Sequence, residues 1–155
     1  MGSEMCIRDR FCILNGTYRC LGIGEQLLPL AEIPKCYLVV VKPDVGVSTP
    51  EAYRACDNVP DGGMRYTPGM VRAVEHRSIE EIANALGNRF DDALQISVVQ
   101  EIKKYLCENG ALNALMTGSG SAVFGIFSEK SLAENAAKRM PKAFGACFLA
   151  EPVNG

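Results

Sequence analysis

The feature that most constrains this chain is the run Cys36-Tyr37-Leu38-Val39-Val40-Val41, closed by Lys42-Pro43. It is apolar throughout and rich in β-branched residues, with no polar alternation. Such a run suits a strand covered on both faces. It is also far too short to cross a bilayer, which takes about 20 residues in a helix. A strand of this kind needs a sheet around it and other elements packed over it.

The rest of the chain supplies candidates. Asn15-Gly16 is a turn signal, and residues 17–23 and 26–30 are strand candidates, with Gly22 and Gly24 marking a bend around Ile23. After the central run, Thr49-Pro50 predicts a helix start, threonine capping and proline in the first turn, with the helix running to about Cys56. Residues 57–66 read as a polar, glycine-bearing loop, followed by a helix over about 68–76. Ser78-Ile79-Glu80-Glu81 has capping-box spacing, with Ile79, Ile82, Ala83 and Leu86 on one face and Gly87-Asn88 as the stop. Residues 89–94 carry no decisive pattern. A helix over 97–108 places Val98, Val99, Ile102 and Leu106 at helical spacing and ends at Asn109-Gly110. Strands at 112–117 and 122–127 flank Gly118-Ser119-Gly120-Ser121. A helix over 128–140, with Leu132, Ala136 and Met140 inward, leads to a last strand at 143–150. The order helix–strand–strand–helix–strand predicts an α+β fold, an antiparallel sheet with helices packed on one face in a ferredoxin-like layer.

Composition narrows the function classes. A net charge of −2 across 155 residues argues against a nucleic-acid partner, which would need a basic face. The seven cysteines are odd in number and none is spaced Cys-x-x-Cys. Several lie in apolar runs, so they are expected to be small buried hydrophobes in a reducing, cytoplasmic setting, neither a disulfide framework nor a zinc site. No long apolar segment suggests a signal peptide or a membrane partner. Residues 1–10 differ in texture from the remainder of the chain and are expected to be a foreign or mis-joined leader.

Two segments can carry chemistry. In Thr117-Gly118-Ser119-Gly120-Ser121, alternating glycines and serines join two apolar strands. Glycine permits a left-handed backbone that turns N–H groups outward, and the hydroxyls add donors, which makes a concave anion site. The same residues also suit a plain hairpin loop. In Lys42-Pro43-Asp44-Val45-Gly46-Val47-Ser48-Thr49-Pro50-Glu51-Ala52-Tyr53, a buried strand turns into a helix start, a natural ligand position. Tyr53 either presents an aromatic face at that mouth or packs as a half-buried side chain. His76, the only histidine, is expected at a solvated helix end, and Asp91-Asp92 in a solvated turn.

The ordered set Gly16-Thr17, Gly22-Ile23-Gly24-Glu25, Val41 to Thr49, Leu86-Gly87-Asn88, Gly110-Ala111 and Met116 to Ser121 resembles the C-terminal stretch of one branch of the GHMP kinases, those acting on 4-diphosphocytidyl-2-C-methylerythritol. Each piece is short, but their joint order over residues 11–150 is specific. The resemblance implies transfer of the ATP γ-phosphate to a hydroxyl of that small-molecule substrate, on the non-mevalonate route to isoprenoids. It implies two lobes, with ATP and Mg²⁺ in the intact enzyme. Gly118 to Ser121 would line the cleft, while Thr49, Pro50 and Tyr53 would hold the cytidine end. The family's main phosphate loop and its N-terminal lysine have no counterpart here. The position of its catalytic aspartate falls on Arg8, with Asp9 one residue away. The resemblance therefore implies residues 1–10 as leader, 11–34 as a remnant of the N-terminal lobe and 35–155 as the C-terminal domain. It also implies a polypeptide inactive and unable to bind ATP by itself, with a tendency to self-associate through the exposed lobe interface. The alternatives are a ferredoxin-like regulatory module that binds a small molecule, or another GHMP kinase.

Overall fold

The computed structural model describes residues 14–22, 24–58 and 66–153. The leader, Arg8, and the Phe11-Cys12-Ile13 run lie outside the described residues.

The Cys36–Val41 run becomes β3 (Tyr37–Lys42), a central strand of a four-stranded antiparallel sheet. Its neighbours are β5 (Val123–Phe127) and β6 (Ala146–Ala150), with β4 (Asn113–Met116) outside β5. Starting at β3, the strands succeed one another in the chain as β3, β4, β5, β6, but in space they lie β4-β5-β3-β6. This is the ferredoxin-like arrangement expected from the order of elements, interrupted by four helices inserted after β3. Those are α1 (Thr49–Asp57), α2 (Thr67–Glu75), α3 (Ile79–Asn84) and α4 (Arg89–Leu94). Two further helices complete the layer, α5 (Ser97–Glu108) before β4 and α6 (Lys130–Lys138) before β6.

Alternation along the strands splits the apolar side chains into two clusters. Val39, Val41, Val123 and Phe127 point to one face and are fully buried with Val99, Ile102 and Leu106 of α5. The spacing 99, 102, 106 places those three on one stripe, and full burial of each is worth about 1.5–3 kcal/mol. Gly125 lets this helix lie close, because a Cβ there would sit 3.3 Å from Leu106 and Ala111. Leu38, Phe124 and Ile126 point to the other face and meet Val74 of α2 and Ile82 of α3. The central strand is thus covered on both faces, but unequally. A largely apolar cavity of about 650 Å³ remains beside α2 and α3, lined by Leu38, Phe124 and Ile126 among others.

Two local expectations change, and one open segment takes a definite form. Thr49 does not cap α1: Ser48 is the N-cap residue, and no side chain caps the helix. In α6 Ala136 and, just beyond it, Met140 face the core as expected, but Leu132 is exposed and Ala133 is buried in its place. Residues 89–94, without a clear pattern in the sequence, form α4, capped by Asn88, whose Oδ1 accepts from the Phe90 N–H at 2.9 Å. The Ser78 capping position holds, its hydroxyl accepting from the Glu81 N–H at 3.2 Å. The Glu81 carboxylate turns to His76 at 2.8 Å instead of closing the box, and that exposed pair stands at the end of α2.

The N-terminal strand candidates become a separate antiparallel hairpin, β1 (Tyr18–Leu21) with β2 (Gln26–Pro29). Leu30, Ala31 and Ile33 then lead into the second-face cluster. Among the described residues, Cys20, Cys36, Cys56, Cys107 and Cys147 are free thiols, with Cys36 and Cys56 buried and Cys20 and Cys107 exposed. No helix among the described residues is long and apolar enough to cross a membrane.

Candidate functional site

The segment after β3 and the loop between β4 and β5 meet at one end of the sheet. β3 pairs in register with β5, so Val41 lies opposite Val123, and the residues just beyond each strand are brought together. Pro43 is fully buried at this junction. Lys42 reaches across it, donating from Nζ to the Pro43 carbonyl at 2.7 Å and to Ser121 Oγ at 3.3 Å. Ser121 is 1% exposed, and its hydroxyl donates onward to the Val45 carbonyl. The buried serine therefore fastens the strand-to-helix connection to the glycine-serine loop.

The loop itself is a tight turn. The Thr117 N–H donates to the Ala122 carbonyl at 2.8 Å, and the Gly120 N–H donates to the Thr117 carbonyl at 3.1 Å. Gly118 and Gly120 take φ of 58° and 96°, where a side chain is disfavoured. At Gly120 an added Cβ would also come within 2.7 Å of Met116 Sδ. Among the described residues, no hydrogen bond engages the N–H of Gly118 or Ser119. The loop thus offers outward donors at the place where Thr49 Oγ1 and Ser119 Oγ approach to 3.3 Å. That contact joins two residues singled out from separate motifs, with Thr49 standing one residue inside α1 and Ser48 at the N-cap.

α1 carries the second part of the site. Ala52 and Cys56, one turn apart, bury one side of the helix. Thr49 and Tyr53, also one turn apart, share a neighbouring face. Tyr53 is 60% exposed, and its ring meets Phe90 edge to face, centroids 5.1 Å apart. Tyr53 is thus neither half-buried nor part of the loop: it stands beside it with much of its ring free. Pro50 occupies the first turn and is exposed.

Two residues that the sequence marked only as punctuation hold the site together. Asn88, read as a helix stop, donates from Nδ2 to the Met116 carbonyl at 2.7 Å and to the Gly118 carbonyl at 2.9 Å. Asp91, expected in a solvated turn, is 3% exposed. It pairs with Lys103 at 2.7 Å, accepts from Gln100 Nε2 at 3.1 Å and lies 3.4 Å from the Met116 N–H. Its neighbour Asp92 does face solvent and accepts from the Tyr66 hydroxyl. The signal for Asp91 was present in the sequence as a carboxylate on a helix whose successor carries Gln100 and Lys103, but nothing fixed the packing of the two helices.

Chemically, this wall can receive an anion and a flat ring side by side. N–H groups, two hydroxyls and the Lys42 ammonium gather at the loop, and an aromatic face lies one helix turn away. The fit to phosphate oxygens rests on those donors. Among the described residues no cluster of three His, Cys, Asp or Glu side chains could hold a metal ion.

Comparison with known proteins gives a consistent picture. The C-terminal domain profile of the GHMP kinases matches residues 70–146. The 4-diphosphocytidyl-2-C-methyl-D-erythritol kinase of Caldicellulosiruptor saccharolyticus is 38% identical over 142 residues, which is 90% of this chain and 49% of that protein. The enzyme of the same name from Lachnospira eligens is 34% identical over 132 residues, 84% of this chain and 46% of that protein. The chain therefore spans about half the length of the curated relatives it matches. A crystal structure of 4-(cytidine 5'-diphospho)-2C-methyl-D-erythritol kinase superposes with a TM-score of 0.73 at 27% identity, covering 95% of this chain and 53% of that one. Homoserine kinase from Cytophaga hutchinsonii superposes with a TM-score of 0.76 at 17% identity, covering 94% and 50%, which is a likeness of fold alone.

Proposed function

Because this chain belongs to the GHMP kinase family, we propose that it forms the substrate-side part of an ATP-dependent 4-diphosphocytidyl-2-C-methyl-D-erythritol kinase. The reaction moves the γ-phosphoryl group of ATP to a hydroxyl of the methylerythritol unit, in isoprenoid biosynthesis. The observation that carries this reading is the 3.3 Å contact between Thr49 and Ser119, with Tyr53 one turn further along α1. On this reading hydroxyl and N–H donors and an exposed aromatic ring share one wall, which supports a nucleoside diphosphate as ligand.

On this reading each residue has a task. Tyr53 stacks on the cytosine, and Thr49 and Pro50 border it. Thr117 to Ser121 present N–H and hydroxyl donors to phosphate oxygens. Phosphoryl transfer depends on positioning and charge stabilisation more than on covalent protein chemistry. ATP, and the Mg²⁺ that neutralises its phosphates, would be gripped chiefly by the half of the relatives that this chain does not span. The 155-residue polypeptide by itself is then expected to bind ATP poorly and turn over no substrate. The chain divides near residue 35, with the β1–β2 hairpin belonging to the partner lobe and the four-stranded sheet to the C-terminal domain. The partly open second face of the sheet is where that lobe would rest, and where copies of the isolated chain would meet. The setting is cytoplasmic.

The test is a fusion of residues 11–155 to the N-terminal half of the Caldicellulosiruptor saccharolyticus relative. ATP-dependent phosphorylation is then measured with 4-diphosphocytidyl-2-C-methyl-D-erythritol, homoserine and mevalonate as acceptors. Phosphorylation of the first, and no turnover by the 155-residue polypeptide alone, is expected. A folded fusion that prefers homoserine or mevalonate, or leaves all three untouched, overturns the reading.

A further inference from the structure

We propose that Asn88 is a positioning residue for the transfer, through its side-chain amide, which holds the glycine-serine loop in register with the pyrimidine wall. The proposal rests on the kinase reading of the site and adds a residue that it does not use.

Asn88 faces two ways. Its Nδ2 donates to the carbonyls of Met116 and Gly118, the last residue of β4 and the first glycine of the loop. Its Oδ1 accepts from the Phe90 N–H and starts α4. The ring of Phe90 in turn meets Tyr53. Arg89 fastens the same helix to α1, donating from Nη2 to the Cys56 carbonyl at 2.9 Å. One short helix therefore touches both parts of the wall: through Asn88 the loop that would face phosphate, and through Phe90 and Arg89 the helix that would face the base. With both amide protons spent on loop carbonyls, the side chain fixes where the free N–H groups of Gly118 and Ser119 point. A displacement of about 1 Å in such donors can cost roughly a hundredfold in rate.

Two substitutions separate this role from simple capping. Asn88→Asp keeps an oxygen for the Phe90 N–H but replaces the donor with an acceptor that faces two carbonyls. Asn88→Ala loses both functions. If Asn88 only capped α4, the aspartate variant would behave like the parent and only the alanine variant would suffer. The proposal expects both, in the active fusion, to lose about 10- to 100-fold in kcat. It also expects KM for the cytidine substrate to change less than kcat in Asn88→Asp, since Tyr53 keeps its neighbour.

A second readout is independent of catalysis. In the 155-residue chain, amide hydrogen exchange at Thr117 and Gly120 should quicken about tenfold in both variants, while exchange in α5 stays as in the parent. Unchanged exchange at the loop overturns the proposal whether or not the fusion is active. Faster loop exchange with parental kcat in an active fusion overturns the link to transfer. Absence of activity in the parent fusion, with faster loop exchange in the variants, strikes the kinase reading and leaves the positioning of the loop standing.

Discussion

Asp91→Ala removes a carboxylate that is 4% exposed at its side chain, from a pair whose lysine is 24% exposed. The bond to Lys103 at 2.7 Å is charge-assisted, worth about 1.5–3 kcal/mol, and the Gln100 bond adds about 1 kcal/mol. The 3.4 Å contact to the Met116 N–H is too long to count for much. After the substitution Lys103 can partly extend to water along its apolar stem, which offsets part of the loss. The expected destabilisation is about 3 kcal/mol, at the low end of the range for breaking a buried pair. For a chain of this size that is a fall of about 6–12 °C in Tm. Urea unfolding followed by far-UV circular dichroism measures it. Lys103→Met in the Asp91→Ala background should restore about 1 kcal/mol or more, because no unpaired ammonium then remains. A loss below about 1 kcal/mol, or a double variant no better than Asp91→Ala, would show that the pair does not fasten α4 to α5.

Three other outcomes are expected from the structure. If the proposed kinase reading holds, Tyr53→Ala should raise KM for 4-diphosphocytidyl-2-C-methyl-D-erythritol roughly 5- to 150-fold with little change in kcat, the cost of about 1–3 kcal/mol of stacking, while Tyr53→Phe stays near the parent; steady-state kinetics on the active fusion check this, and equal effects of the two variants would exclude a stacking ring. Burial, with Glu151 nearby, pushes the Cys36 thiol above its ordinary value of 9.0, and burial does the same at Cys147. The folded protein keeps protons there that the unfolded chain releases, so stability is full below about pH 9 and falls as pH rises through the folded pKa; urea midpoints that stay flat between pH 8 and 10.5 would contradict this. Phe148, 58% exposed on β6 and opposite Val40 on the open sheet face, is expected to promote association of the isolated chain. Phe148→Asp should therefore shift light scattering toward the monomer, and a parent that is already monomeric at high concentration refutes the idea.

How much of this could be read beforehand varied with the range of the interactions. The central strand was plain, because a β-branched apolar run has few other uses, and its neighbours followed from the order of elements. Helix caps were harder. Ser78 and Thr49 look alike as hydroxyl residues at a helix start, yet Ser78 stands at the N-cap and caps, while Thr49 lies one residue inside α1. The Thr49 hydroxyl meets Ser119 instead, 70 residues away, and no local pattern announces that. In α6 the spacing set Leu132, Ala136 and Met140 inward, and Ala136 and Met140 do meet the core. The helix packs through Ala133 and Ala136, whose small side chains allow close approach to the sheet, and Leu132 turns outward onto Gly110.

The site divides along the same line. Gly118 to Ser121, Thr49 and Tyr53 were visible because loop glycines, a helix-start hydroxyl and an exposed ring each have a recognisable local chemistry. Asn88 and Asp91 were not, because their local chemistry is commonplace: a helix stop and half of an acidic pair. What distinguishes them is where their partners lie. Asn88 bonds carbonyls 28 and 30 residues ahead, and Asp91 pairs with a lysine 12 residues ahead on the next helix. Both choices become available only after α4 has packed between α1 and the end of β4. Removing α4 from its place would leave every residue of the visible motifs present and the wall they form undefined, since the loop would lose its two amide bonds and Tyr53 its edge contact together.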